Sequence, residues 1–133
     1  VRLLANCQEH LKLPQPLITP FSMLPEAVKT NLANKEILDF GVIITNQGFG
    51  FHKNYCELPT SLVIAYTLAI ANSGQAKKII LAGFDGYNAD DPRSKEMDQL
   101  LKIYKDKPNT VSLTSITPTR YEVPIKSIFG LNQ

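Results

Sequence analysis

Apolar residues occur in short blocks along this chain, separated by helix-like or turn-forming stretches. Continuous apolar runs at residues 40–45 and 78–84 are typical of strands in a buried parallel sheet. Shorter strand-like blocks lie at residues 1–5, 16–20 and 110–116. Because strands alternate with helical patterns, we expect an α/β fold of the Rossmann-like type, a three-layer α/β/α sandwich of about five mostly parallel strands.

Helix signals separate these blocks in the first half of the chain. Residues 7–11 form a short helix or turn, and Pro25 opens a helix at the position where its missing N–H costs nothing. Residues 49–58 form either a small hairpin or a lid, and the sequence leaves both open. Residues 62–72 are apolar nearly all round, so we expect that helix to be central and buried.

The longest helix is predicted after Asp91, which is a good N-cap residue followed by Pro92. The apolar face recurs at i, i+3, i+4 and i+7 in Met97, Leu100, Leu101 and Tyr104. The pattern ends near residues 105–108, and residues 117–133 form a tail.

Length and composition limit the class of protein. The 133 residues suffice for one domain, and a net charge of +2 is too small to indicate nucleic acid or an acidic membrane as partner. The longest apolar run is far shorter than the ~20 residues of a membrane span, and no signal peptide is visible. Cys7 and Cys56 are expected to be reduced thiols of a cytoplasmic protein. A strand at residues 1–5 without an initiator Met indicates a fragment of a longer chain.

Hydroxyl and amide side chains follow two of the strands. Thr60 and Ser61 stand at the amino end of the apolar helix, where free N–H groups attract anions, although an ordinary N-cap, which needs only one hydroxyl, explains most such cases. Asn46 belongs to a Gly-containing loop after residues 40–45, where its amide could contact a base or ribose, or simply form a turn.

A second group of polar loops follows the later strands. Gly83 allows close backbone approach, Asp85 could accept hydrogen bonds from a sugar or base, and Tyr87 could stack on a ring. Thr117 and Arg120 follow residues 110–116, and Arg120 could pair with a phosphate or carboxylate. A turn with side-chain caps, or a polar turn leading to a docked tail, would explain the same residues.

Residues for acid–base or metal chemistry are sparse. His52 could act as a general base, and Glu57 is its nearest orienting carboxylate in the sequence. No metal-binding spacing and no Ser-His-Asp or Cys-His arrangement is recognisable. Catalytic residues and a cofactor therefore stay unassigned, and any transfer reaction would depend on electrostatic positioning.

The stretch from Leu58 to Tyr87 resembles the nucleotide-binding part of bacterial sialyltransferase-like proteins and of related pterin pyrophosphokinase-like domains. Within this stretch the shared pattern is a Ser/Thr loop at residues 59–61 that opens an Ala-rich helix, followed by a strand that ends in Gly83-Phe84-Asp85. Beyond it, a helix with Glu96 and a strand that ends in residues 115–119 fit the same pattern. The resemblance implies that Thr60 and Ser61 meet the phosphate of a cytidine-type nucleotide. It also implies that Asp85 and Tyr87 line that pocket. The chain departs from the sialyltransferases in having no histidine after His52.

The whole chain is also similar to a carboxyl-terminal domain of bacterial aldolase-like proteins of surface-carbohydrate biosynthesis. The two resemblances predict a nucleotide- or sugar-phosphate-binding domain, belonging, if enzymatic, to a transferase or an aldolase/lyase-type protein. The alternative is a non-catalytic docking or dimerisation module attached to an upstream aldolase-like enzyme. Its support is the apolar tail that contains Ile125, Ile128, Phe129 and Leu131.

Overall fold

The computed structural model describes residues 6–132, in which helices and strands are short. The α-helices run over Cys7–Lys12 (α1), Glu26–Asn31 (α2), Val63–Ser73 (α3) and Pro92–Asp106 (α4). The strands run over Leu17–Thr19 (β1), Ile37–Asp39 (β2), Gly41–Ile44 (β3), Gly50–Phe51 (β4), Tyr55–Leu58 (β5), Ile79–Leu81 (β6) and Leu113–Ser115 (β7). Short 3-10 helices cover Phe21–Met23 and Ile128–Gly130. The strand predicted at residues 1–5 lies outside the described residues.

The strands do not form one sheet, so the prediction of a five-stranded Rossmann-like sandwich is wrong. Strands β1 and β2 form one parallel pair, and β6 and β7 form another. The remaining sheet has the order β3-β5-β4, with β3 and β5 parallel and β4 antiparallel to β5. Within residues 6–132 the parallel pairing that the sequence predicts is present, but it is divided among three small sheets.

Phe40 marks the point where the chain passes from one sheet to the next. Its N–H donates to the carbonyl of Thr19 at 3.1 Å, whereas the N–H of Gly41 donates to the carbonyl of Asn54 at 2.9 Å. The apolar run that follows is not covered on both faces, because Ile43 and Ile44 are 51% and 54% exposed. Their β-branched side chains favour a strand without requiring a helix layer on each side.

The apolar side chains pack into two cores. The larger core lies among α3, α4 and the strands β3 to β7, and it includes Cys56, Leu68 and Leu100. The smaller core joins α1 and α2 to β1 and β2 and includes Cys7. The two cysteines are therefore buried in separate cores, and no disulfide joins them. Within residues 6–132 every helix is too short or too polar to span a membrane.

A buried polar network ties α3 and α4 to the start of β7. The Asn72 side chain donates to the Tyr104 hydroxyl at 2.8 Å and accepts from the Val111 N–H at 2.8 Å. The Tyr104 hydroxyl in turn donates to the Val111 carbonyl at 2.6 Å. Helix α3 is buried on the face of Ala65, but Val63 is 79% exposed, so the prediction that it is covered all round is wrong.

Candidate functional site

The loops that follow β6 and β7 lie against each other. The Gly83 N–H donates to the Thr117 hydroxyl at 2.9 Å, and the Arg120 N–H donates to the Asp85 carbonyl at 3.0 Å. Because β6 and β7 are parallel neighbours, both loops leave the same edge of their sheet. We call residues 83–87 and 117–121 together the loop surface.

Arg120 fastens the loop surface to helix α4. Its Nη1 donates to the Tyr87 carbonyl at 2.9 Å and to the Ser94 hydroxyl, and its Nη2 lies 3.8 Å from a carboxylate oxygen of Asp98. The Ser94 side chain is buried and donates to the Asn88 carbonyl at 2.9 Å. The guanidinium predicted to bind an anion therefore already holds three protein groups.

Two glycines of the loop surface have positive φ, but the space around their Cβ positions differs. Gly86 has φ +107°, and a Cβ there would collide with the Arg120 side chain and lie 3.1 Å from the Tyr121 ring. Gly83 has φ +67°, and nothing lies within 4 Å of its Cβ position. Beside Gly83, the Asp85 side chain is exposed. The loop surface thus leaves open space beside Gly83 and exposes a carboxylate to solvent, while the Gly83 N–H is already bonded to Thr117.

Helix α4 begins with the predicted cap, which is confirmed. An Asp91 carboxylate oxygen accepts from the Arg93 N–H at 2.9 Å, and the two side chains form an ion pair at 2.6 Å. The hydrogen bond from the Arg93 side chain is the main reason why the pKa of Asp91 falls from 3.8 to about 2. The Arg93 guanidinium lies 4.1 Å from the centre of the Tyr87 ring, so a cation covers one face of that ring.

A cavity of about 630 Å³ adjoins the loop surface. Its lining carries both signs of charge, with Asp98, Leu101, Lys102, Lys105, Asp106, Arg120 and Glu122. Arg120 belongs to this cavity and to the loop surface, so the two are continuous at that side chain. Among the described residues, Lys105 pairs with Glu122 and Arg120 with Asp98, each at 3.8 Å, so Lys102 is the cation of the lining that these contacts leave to attract an anion. The carboxylates could accept hydrogen bonds from hydroxyl groups of a ligand.

Thr60 and Ser61 lie elsewhere and do not cap a helix. The N-cap of α3 is Leu62, with no side-chain cap, so the ordinary-cap explanation is wrong. The Thr60 hydroxyl donates to the Glu96 carboxylate at 3.2 Å, and Ser61 is exposed. Thr60 lines a separate cavity of about 270 Å³ with Pro59, Glu96, Gln99, Leu100 and Ile103. The structure does not bring it together with Asp85 and Thr117.

Asn46 is exposed in a turn after β3, where the Gln47 N–H donates to the Thr45 hydroxyl at 3.3 Å. The neighbouring Gln47 and Gly48 line a cavity of about 320 Å³ that shares Asp106 with the cavity of about 630 Å³. Because β3 and β6 belong to different sheets, the loops that follow them do not share a strand edge. Asn46 itself lines neither cavity.

His52 has the carboxylate partner that the sequence indicated. Its Nε2 lies 2.9 Å from the Glu57 carboxylate, and its ring stacks on Tyr55 with 4.2 Å between centroids. These residues belong to the β4–β5 hairpin, so the hairpin alternative for residues 49–58 is correct. The described chain contains no group of three or more His, Cys, Asp or Glu side chains placed to hold a metal ion.

Sequence reasoning missed Ser94 and the two lysines of the cavity. Ser94 stands three residues before Met97, on the apolar stripe of α4. The helical spacing of that stripe therefore predicts that Ser94 is a buried polar side chain. Lys102 and Lys105 lie one turn apart on the exposed side of the same helix. Their proximity to Arg120 depends on the tertiary fold, so no local sequence pattern predicts it.

No family model, curated protein or solved structure matches this chain. The family resemblances drawn from short motifs therefore stay predictions.

Proposed function

We propose that this chain is a nucleotide- or sugar-phosphate-binding domain of a bacterial carbohydrate-biosynthesis protein. The observation that carries the proposal is the continuity, at Arg120, between the loop surface and a cavity of about 630 Å³. A volume of roughly 300–1,000 Å³ is usual for small-ligand sites. Both loops leave the carboxyl ends of the parallel strands β6 and β7, so their polar groups lie together at one edge. The sialyltransferase-like motifs support the same class of ligand.

In this proposal the anionic part of the ligand lies in the cavity, near Lys102 and Lys105. The sugar or base contacts Asp85 and the open backbone at Gly83. Arg120 orders the loop through its bonds to Tyr87 and Ser94 and adds a positive charge where the loop surface meets the cavity. Tyr87, 39% exposed, offers the edge and remaining face of its ring.

Thermal unfolding in the presence of cytidine, uridine and adenosine nucleotides tests the proposal. A ligand at about 100 times its dissociation constant adds about 2.7 kcal/mol of stability. We expect one nucleotide or sugar phosphate to raise Tm, and Asp85→Asn and the double variant Lys102→Ala, Lys105→Ala to abolish that rise. Lys95→Ala, which removes an exposed charge from the same helix, is the matched control.

The resemblance places the phosphate differently, at Thr60 and Ser61. A Thr60→Ala, Ser61→Ala double variant separates the two positions. We expect it to keep the full rise in Tm, because its cavity is not continuous with the loop surface. Loss of the rise in this variant, with Lys102→Ala, Lys105→Ala unaffected, would move the phosphate to the other cavity.

The proposal locates the chain in the cytoplasm. Cys56 is a buried thiol that takes part in no disulfide, which fits a reducing compartment. No residue is assigned a catalytic role, and binding is the activity proposed.

A second function, the docking or dimerisation of an upstream aldolase-like enzyme, has its own support. Three of the four apolar side chains that the sequence singled out in the tail, Ile125, Ile128 and Phe129, are 57%, 61% and 88% exposed, whereas Tyr121 and Val123 earlier in residues 117–133 are buried in the larger core. Exposed apolar side chains that are adjacent in the chain are typical of a partner surface. This function does not exclude ligand binding at the loop surface.

A further inference from the structure

The charged side chains that line the cavity of about 630 Å³ balance each other. Three of them are positive and three are negative, namely Lys102, Lys105 and Arg120, and Asp98, Asp106 and Glu122. The lining therefore has no formal net charge at neutral pH. Each phosphoryl group of a ligand brings negative charge, so a ligand with several of them would be repelled by the carboxylates as much as it is attracted by the cations.

Two of the three cations are held by groups of the protein. The Lys105 ammonium donates to the Glu122 carbonyl and lies 3.8 Å from the Glu122 carboxylate. The Arg120 side chain makes two hydrogen bonds and also lies 3.8 Å from Asp98. A phosphoryl group could bind to either cation only by replacing these contacts, so Lys102 is the cation that is ready to receive it.

Lys102 and Asp106 are the remaining charged groups of the lining. Both side chains are exposed on α4, one turn apart, and neither forms an ion pair within residues 6–132. A cation four residues before a carboxylate is the less favourable order for pairing along a helix. Side chains at this spacing lie about 5–6 Å apart at their Cβ atoms, so one small ligand can contact both.

The cavity also differs in what it offers to a sugar and to a nucleobase. Among residues 6–132, the seven that line it include no aromatic side chain. Bases are commonly held by stacking on aromatic rings, whereas carboxylates accept hydrogen bonds from hydroxyl groups. On the adjoining loop surface, Phe84 packs on the buried Tyr121 with 5.2 Å between centroids, and Arg93 covers one face of Tyr87. The site is therefore better equipped for hydroxyl groups than for a base.

We propose that the ligand of this cavity is a sugar monophosphate, with its phosphoryl group bound by Lys102 and a neighbouring hydroxyl group donating to Asp106. This inference rests on the proposed function and selects one class of ligand within it. A phosphomonoester carries about −1.5 to −2 charge at pH 7, most of which one lysine compensates. A nucleoside di- or triphosphate brings more charge than Lys102 can compensate and a base that the lining cannot stack.

Calorimetric titration of the wild-type chain with matched ligands tests the class. The probes are the 1- and 6-phosphates of hexoses and N-acetylhexosamines, the same sugars without phosphate, and cytidine, uridine and adenosine mono-, di- and triphosphates, each with and without Mg²⁺. We expect a sugar monophosphate to bind at least about tenfold more tightly than its parent sugar and than every nucleotide. If a nucleotide binds most tightly, the proposed function stands and this inference is overturned. If no probe binds, both are overturned.

Two variants test the roles of the two side chains, with inorganic phosphate as a second probe. Lys102→Ala should weaken the sugar monophosphate and inorganic phosphate alike, by at least about tenfold. Asp106→Ala should weaken the sugar monophosphate, but it should leave inorganic phosphate unchanged or bind it more tightly, because a negative charge near the lysine is lost. A general distortion of the helix would instead weaken both probes in both variants.

The matched controls are Lys95→Ala and Glu36→Ala, which remove exposed charges of the same two signs outside the cavity. We expect neither control to change the affinity for either probe. Unchanged affinities in Lys102→Ala overturn the assignment of the phosphoryl group. Equal losses of both probes in Asp106→Ala overturn the assignment of the hydroxyl group.

Discussion

Gly83 and Gly86 stand three residues apart in the loop surface, and a methyl group should affect them unequally. Gly83→Ala places a side chain at positive φ in open space, which we expect to cost about 1–2 kcal/mol. Gly86→Ala adds collisions with Arg120 and Tyr121, and we expect a cost above about 3 kcal/mol. Urea denaturation of the two variants measures the difference. Equal losses would mean that Arg120 does not hold the loop as described.

Cys56 provides a prediction about reactivity. Its side chain is fully buried and its pKa is raised to about 11, so the thiolate that attacks alkylating reagents is scarce at neutral pH. We expect labelling of Cys56 to be slow in the native protein and fast in urea, with mass spectrometry locating the label. Rapid native labelling of Cys56 would contradict its place in the larger core.

At the scale of single elements, the start of helix α4 should lose stability in acid. The folded Asp91 has a pKa of about 2 against 3.8 for its ordinary value, so its contribution is complete above pH 3.8 and is lost as the pH falls to about 2. Asp91→Asn keeps a capping oxygen but cannot titrate or pair with Arg93. We expect the wild type to be more stable than this variant near neutral pH, and the difference to vanish toward pH 2. A constant difference across that range would exclude the ion pair as its cause.

The junction of α3, α4 and β7 depends on the Tyr104 hydroxyl. Tyr104→Phe leaves the Val111 carbonyl and the Asn72 amide without their buried partner, and we expect a loss of about 1–3 kcal/mol. Tyr66→Phe is the comparison, because the Tyr66 hydroxyl makes one bond, to the Phe40 carbonyl, and should cost less. Thermal unfolding of both variants decides, and similar losses would show that the network adds nothing beyond single hydrogen bonds.

The elements that the sequence predicted well are those with local causes. Helix α4 has a capping Asp91, a first-turn Pro92 and a regular apolar stripe, and all three act within one helix. Strand β2 was missed because residues 37–39 end in Asp39 and have too few apolar positions for a pattern. Its identity as a strand comes from pairing with β1, which is a contact distant in sequence.

At the scale of the whole molecule, the strands form three small sheets and not the single sheet that the sequence predicts. This is why the predicted site residues do not all lie at one strand edge. Gly83, Asp85 and Thr117 come together because β6 and β7 are parallel partners whose ends share an edge. Thr60 and Asn46 follow strands of another sheet, so the expectation of a common edge does not extend to them. The apolar pattern of the sequence shows where strands lie, but it does not show which strands pair. Residues that follow different strands can form one ligand site only if those strands are neighbours in a sheet.

The central claim, ligand binding at the loop surface, is tested most directly by following backbone amide resonances during titration with the nucleotide or sugar phosphate that raises Tm. The account predicts saturable shifts at residues 83–87 and 117–121 and along α4 from Asp98 to Asp106, with little change near Thr60. Absence of shifts with every nucleotide and sugar phosphate, or shifts confined to residues 59–62, would contradict it.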